Sequence, residues 1–448
     1  MNRSLFDYFR LAPESFSLSI TSPKKQSGEP GFFRFTPQLP CFGKCESGVA
    51  TAFLASGELD AFPHIRSNRQ EIWLPFDFDE VINNLRLEHY RPSADASKKS
   101  LSRELVRRSY YFFRAVFPVF VRRQMQKIYF RDWKNLPFPS WPVDFTVDDL
   151  HRELLRLSME KLGIEKVPFI WFWPNGAPNC VIMTHDVETA AGRDFTSTHI
   201  DIDASYGIRG SFQAVPEKRY EVPDDYVRMI RSRGCEFNVH DLNHDGHLYR
   251  ERKEFLRRAA KINAYIQKFN CDGFRSGAMY RNQDWYDAFE FSYDMSVPNV
   301  AHLEPLRGGC CTAMPYFIGN IVELPLTCTQ DYSLFHILND YSIDLWKRQI
   351  GLLKERNALI SFITHPDYLI EKRARNTYTQ LLAYLRQMIE TEGSWSPLPG
   401  EVNRWWRSRS QMKLVRNGDA WSIEGPDSAR AKVAYAVIED GRLAYQLS

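Results

Sequence analysis

Two histidines four residues apart, His240 and His244, are close enough in the chain to hold one ion from a helical turn or a tight loop. A carboxylate joined to two neutral imidazoles is a catalytic zinc set that leaves one coordination position for water. Glu188 can complete such a set. A metal there polarises a carbonyl and makes its bound water a usable nucleophile near neutral pH. In Thr184-His185-Asp186-Val187-Glu188 the two acids lie two apart, so on a strand they share a face. Asp186 then stands where it can take the water's proton, and His365 is placed to protonate a leaving group. Each residue also has a plain structural reading. The histidine pair fits a polar loop, and Asp-x-Glu fits a helix cap. Arg275 fits an ion-pair partner, Asp294 a turn before Pro298, and His365 a packed loop residue.

The elements that must carry these residues tip the balance. Strand-like apolar runs fall at 179–187, 210–216, 235–241, 272–276, 291–297, 321–327 and 358–365. Helical patterns lie between them: Asp224 to Arg233 ending at Gly234, Leu248 to Phe269, Asp284 to Phe289, and Asp344 to Arg356. In the second, Leu256, Ala259, Ala260, Ile262 and Ile266 form the expected apolar face. Strands alternating with helices imply a parallel sheet or barrel. Seven strands suggest a (β/α) barrel one strand short of eight, with an open doubly wound sheet as the structural competitor. Five of the seven runs end in a polar or ionisable group, and in a barrel those ends open onto one rim, where catalytic side chains sit. The joint placement favours a metal site over five unrelated polar residues.

At this point the sequence resembles the polysaccharide-deacetylase family, the NodB-homology, carbohydrate-esterase type. Five motifs occur in the family's order over roughly residues 178 to 395. The resemblance implies Asp186 as catalytic base, Glu188 as acidic metal ligand, and His240 and His244 as imidazole ligands. It further implies that Arg275 steadies the base, that Asp294 tunes the acid histidine, and that His365 is the general acid. The implied cofactor is one divalent ion, zinc, and the implied substrate is a carbohydrate or glycoconjugate from which an acyl group, N-acetyl above all, is hydrolysed. The implied fold is a distorted (β/α)7 barrel. The chain departs from the family's pattern in several places. The usual ligand is Asp, so Glu188 reaches one methylene further. His185 stands where Phe or Tyr is usual and reads as packing. Ser276-Gly277-Ala278-Met279-Tyr280 follows Arg275 in place of Pro and an aromatic residue, and Val297 replaces a frequent Trp. Asp245 and His247, after the histidine pair, read as solvent-facing. Two other functions use the same residues. One is a glycoside hydrolase with paired carboxylates, which needs no ion; the other is a non-catalytic carbohydrate-binding or assembly protein on the same fold.

The chain of 448 residues exceeds one ordinary core, so more than one domain is expected. Residues 1–150 form a Pro- and aromatic-rich mixed region, with a basic helical stretch near 97–130 and an extended connector at 136–142. Residues 151–398 form the barrel. Residues 399–448, with turn signals Asn417-Gly418 and Asp440-Gly441, form a small antiparallel β unit. With 58 basic against 55 acidic residues the net charge is +3, which argues against a nucleic-acid partner. No run reaches the ~20 apolar residues of a membrane span. The eight cysteines are scattered, several in apolar runs, and Cys41 and Cys45 lack the second pair that a zinc ribbon needs. The first residues have no apolar export segment. A cytoplasmic location with reduced thiols is the expectation.

Overall fold

The computed structural model of the chain describes residues 3–13, 19–23, 29–46, 60–68, 71–91, 129–418 and 420–448. The expected basic helix near 97–130 lies almost wholly outside the described residues. All seven expected strands form, and we number them β1 (Cys180–Val187), β2 (Gly210–Ala214), β3 (Glu236–His240), β4 (Gly273–Arg275), β5 (Tyr293–Asp294), β6 (Ile321–Glu323) and β7 (Leu359–Thr364). Their lateral order is β7-β1-β2-β3-β4-β5-β6, all parallel, with Tyr316–Ile318 added antiparallel beyond β6. No ladder joins β6 to β7. The segment after β6 bridges the gap: Cys328 N donates to the Ser361 carbonyl at 3.1 Å and Thr327 N to the Ser361 hydroxyl at 2.9 Å. The result is a curled, distorted barrel, and the doubly wound alternative is excluded by the neighbouring positions of β1 and β7.

The helices on the outside are α1 (Ala190–Ser205), α2 (Asp224–Ser232), α3 (Arg252–Phe269), α4 (Asp344–Lys354) and α5 (Lys372–Glu392). Between β4 and β5 two short 3-10 segments, Gly277–Met279 and Gln283–Ala288, replace a helix. On α3 the apolar face is rotated from the expected one. Phe255, Ala259, Ile262, Ile266 and Phe269 are buried, whereas Leu256 is 45% exposed and Ala260 faces solvent. Spacings of four, three, four and three keep that stripe on one side of the helix. The face includes Phe255 at the position where the periodicity had placed Leu256.

The barrel interior is polar. Asn238 donates to the Tyr293 hydroxyl at 2.7 Å, and Tyr293 donates to Glu236 at 2.8 Å. Such a network is tolerated because each buried group finds a partner. Apolar side chains pack outside the strands, between them and the helices, with Phe212, Val239 and Phe274 against Ile230, Phe255 and Ile262. One continuous cluster includes Leu5, Phe9, Leu154, Phe169, Val181, Ile360, Trp405 and Leu443, and so draws on all three expected regions. Strand Lys166–Ile170, which precedes the barrel, pairs antiparallel with Val433–Glu439 near the other end of the chain. Val433–Glu439 pairs in turn with Arg442–Leu447, and Lys413–Asn417 pairs with Ala420–Glu424, as the turn signals suggested. The buried Arg409 guanidinium donates to the carbonyls of Tyr8, Ile170 and Trp171 at 3.1, 2.7 and 3.0 Å. One side chain thus ties the helix Arg3–Phe9 to the end of the strand before the barrel.

Trp405 is 1% exposed, lies in the helix Pro399–Gln411, and donates its ring N–H to the Phe172 carbonyl at 2.8 Å. Trp405→Ala should therefore lower the stability of the whole protein by about 3–5 kcal/mol in one cooperative urea transition. A variant that loses only its C-terminal strands, with the main transition unmoved, would contradict the shared core.

Candidate active site

Strand β1 is buried along its whole length, and alternation sends Thr184 and Asp186 into the barrel and His185 outward. Inside, Arg275 from the end of β4 donates to Asp186 Oδ1 at 2.7 Å, to Thr184 Oγ1 at 2.9 Å and to the Met295 carbonyl at 2.9 Å. Burial pushes the Asp186 carboxyl up, but the Arg275 guanidinium, with His240 and His365, outweighs it and holds the group below the usual carboxylate value. Asp186 is ionised.

His240 ends β3. Its Nδ1 lies 3.1 Å from the Arg275 carbonyl, which can only accept, so Nδ1 carries the proton and Nε2 presents its lone pair. The loop that follows takes Asp241 and His244 into the left-handed region, at φ 55° and 53°. Asp and His are among the side chains that tolerate that region. The turn is held by Asp241 N donating to the Arg275 carbonyl at 2.7 Å, and by Arg219 donating to the His244 carbonyl at 2.8 Å. It folds the two imidazoles together, with ring centroids 4.9 Å apart. The loop after β4 presses against this turn: a Cβ on Gly277 would lie 2.6 Å from Asp241 Oδ2 and 2.9 Å from His244 Cδ2. The departure from Pro at this stretch therefore includes a residue that must be Gly.

Glu188 stands at the mouth, its side chain 20% exposed while the histidines are 1–5% exposed. Its Oε1 is 2.8 Å from His244 Nε2, 3.6 Å from His240 Nε2 and 3.5 Å from His365 Nε2. One donor atom from each of Glu188, His240 and His244 lies within 4.8 Å of the others. Both histidine Nε2 atoms are buried without a hydrogen-bonding partner. Buried polar atoms are normally satisfied, so two orphaned nitrogens facing a carboxylate fit a divalent cation. Burial raises the Glu188 carboxyl, but the surrounding imidazoles, His244 first, hold it well below its ordinary value.

His365, immediately after β7, closes the ring from the far side. Its Nδ1 lies 2.6 Å from Asp331 Oδ1, and its backbone N donates to Asp331 Oδ2 at 2.7 Å. Burial lowers the imidazole, but Asp331 and then Glu188 carry it well above its ordinary value. The carboxylate paired with His365 is thus Asp331, not Asp294. Tyr293 points into the barrel, so its neighbour Asp294 points outward. There it accepts from Tyr286 at 2.7 Å and Ser296 at 2.6 Å, beside Glu323. Asp331 was missed because it lies in an irregular polar segment well past the end of β6. The polar run Thr327-Cys328-Thr329-Gln330-Asp331 was the available signal.

The remaining departures have structural explanations. Val297 packs against Cys310 and Tyr316. Asp245 accepts from Arg258 of α3 at 2.7 and 2.9 Å, and His247 is half-buried beside Asp245, its Nδ1 3.8 Å from Asp245 Oδ2, so both turn to each other and to α3. All eight cysteines are buried thiols. No helix among the described residues is long and apolar enough to cross a membrane.

Solved structures similar to this chain include proteins named as polysaccharide or peptidoglycan deacetylases and a CE4 family pseudoenzyme. One is a protein named as a polysaccharide deacetylase from Mycobacterium smegmatis, 15% identical, with 53% of this chain and 93% of that one covered at a TM-score of 0.43. Another is the peptidoglycan deacetylase PdaC from Bacillus subtilis, 10% identical, covering 51% and 93% at 0.33. A CE4 family pseudoenzyme from Bacillus anthracis is 14% identical, covering 50% and 65% at 0.33. The likeness covers about half of this chain. No protein-family model and no curated protein matches it.

His240→Ala should weaken cobalt(II) or zinc binding at Glu188 and His244 by more than the roughly 10–100-fold that losing an outer partner costs. Titration followed by the cobalt absorption bands measures it, and unchanged affinity would remove His240 from the ligand set.

Proposed function

We propose that this chain is a metal-dependent hydrolase that removes an acyl group, N-acetyl above all, from a carbohydrate or glycoconjugate. The observation that carries this reading is the convergence of Glu188, His240 and His244 on one another within 4.8 Å. Two imidazoles and one carboxylate suit zinc. When bound, the ion supplies Lewis-acid polarisation of the acyl carbonyl and a water of lowered pKa.

The chain's own residues supply the proton transfers. Asp186 has Oδ1 engaged by Arg275, which leaves Oδ2, 3.7 Å from His240 Nε2, to accept the proton of the attacking water. Asp331 grips His365 at Nδ1, so the protonated Nε2 faces Glu188 and the site interior. From there it donates to the departing nitrogen as the C–N bond breaks, and a carboxylate and a free amine result. An amide nitrogen leaves poorly until protonated, so a strongly held acid on one side and an ionised base on the other suit this bond. The carbohydrate class rests on the resemblance of the five motifs.

Acetate release from N-acetylated oligosaccharides tests the reading. Chelation should abolish release and zinc should restore it. Asp186→Asn and His365→Ala should each lower kcat by about 10²–10⁴-fold, with metal content at the Glu188 site kept in the first. Turnover that survives chelation, or that survives Asp186→Asn, would refute the mechanism.

Asp331→Asn checks the new pairing by pH. Asp331 raises His365, so the acid form persists as pH climbs and is lost only above that raised value. Removing the charge should shift the alkaline limb of kcat/KM to lower pH. A structural defect alone would lower the plateau without moving the limb.

A further inference from the structure

Directly behind Asp186 lies a second cluster that the hydrolase reading does not use. His185 points outward from β1 and meets His199 and Asp203 of α1; the three are fully buried, with one donor atom from each within 4.8 Å of the others. His185 Nε2 is 2.9 Å from Asp203 Oδ2, and His199 Nε2 is 3.7 Å from Asp203 Oδ1. The two rings sit with centroids 4.0 Å apart. In spite of that crowding, His185 Nε2, Asp203 Oδ2 and both nitrogens of His199 have no hydrogen-bonding partner. The 2.9 Å approach is therefore not a hydrogen bond in line with the ring N–H. The atoms converge without pairing.

We propose that His185, His199 and Asp203 bind a second divalent ion, zinc by the chemistry of the donors, which fixes α1 to the back of β1. The surroundings have the form of an outer layer of ligand supports. Thr364 Oγ1 lies 2.8 Å from His185 Nδ1, which leaves Nε2 to face the cluster. Tyr378 of α5 donates to Asp203 Oδ1 at 2.5 Å. Gly210 on β2 clears the space, since a Cβ there would lie 2.3 Å from His185 Nε2 and 3.4 Å from Asp203 Oδ2. Asp203 offers both oxygens, one toward each histidine, so a bidentate carboxylate completes four donors. Because the site is enclosed, the ion enters as the chain folds and exchanges slowly. The ion at Glu188, near the mouth, exchanges readily.

Elemental analysis of the full-length protein, folded with excess zinc and then desalted, should give two ions per chain. Brief chelation should remove one of them. His240→Ala/His244→Ala should hold one ion that resists brief chelation, and its melting temperature should fall when it is refolded with chelator present. Asp203→Asn should hold one ion that chelator removes readily. The proposal is overturned if the double histidine variant holds no ion that resists brief chelation, or if Asp203→Asn holds as many ions as wild type. A wild type holding only an ion that resists brief chelation would instead refute the Glu188 site and leave this one standing. These counts do not depend on acetate release, so loss of the hydrolase reading would leave them standing.

Discussion

A guanidinium buried inside the barrel sets the terms for everything around it. Arg275 cannot shed its charge, and the interior offers one ionised partner, Asp186, together with the Thr184 hydroxyl and the Met295 carbonyl. Breaking such a pair from one side costs about 3–5 kcal/mol, because it strands the remaining charge. The pair therefore locks the ends of β1 and β4 in register. The same residue uses its backbone carbonyl to orient His240 and to hold the turn at Asp241. Base, ligand and loop are aligned by one side chain and its own peptide unit.

Around that pair the site is arranged so that opposite charges face one another. Glu188 is encircled by three imidazoles, and His365 is clamped from behind by Asp331. The two Nε2 atoms left without hydrogen bonds are stationary before any ligand arrives, since His240 is held at Nδ1 and His244 through its carbonyl. Holding donors in place beforehand removes the cost of ordering them at binding.

Hydrophobic periodicity exposed the strands because each is a short apolar run, five of the seven closed by a polar group, so all seven could be placed and the rim could be read. Asp186, Glu188, His240, His244, Arg275 and His365 converge as their strand-end positions implied. Asp294 does not, because in a strand of two residues the alternation is fixed by which neighbour fills the barrel, and Tyr293 does so. Asp331 was invisible to the same logic, since no periodicity governs an irregular segment. Helix α1 escaped for a further reason. Its inward face is Gly192, Thr196, His199, Ile200 and Asp203, so a scan for apolar stripes finds little to mark it. The tie between the strand before the barrel and the strands after it, through Lys166–Ile170 and Val433–Glu439, depends on pairing between residues more than 260 apart and has no local signature.

That last pairing has a bearing on how the protein is made. Lys166–Ile170 leaves the ribosome early, whereas its partner Val433–Glu439 is translated only after the entire barrel. At about 5–20 residues per second the strand waits on the order of tens of seconds with its edge open. Val167, Phe169 and Ile170 are solvent-shielded only in the finished fold, so nascent chains carry a sticky edge throughout that interval. Keeping that edge covered during synthesis is then a requirement separate from the final stability of the barrel.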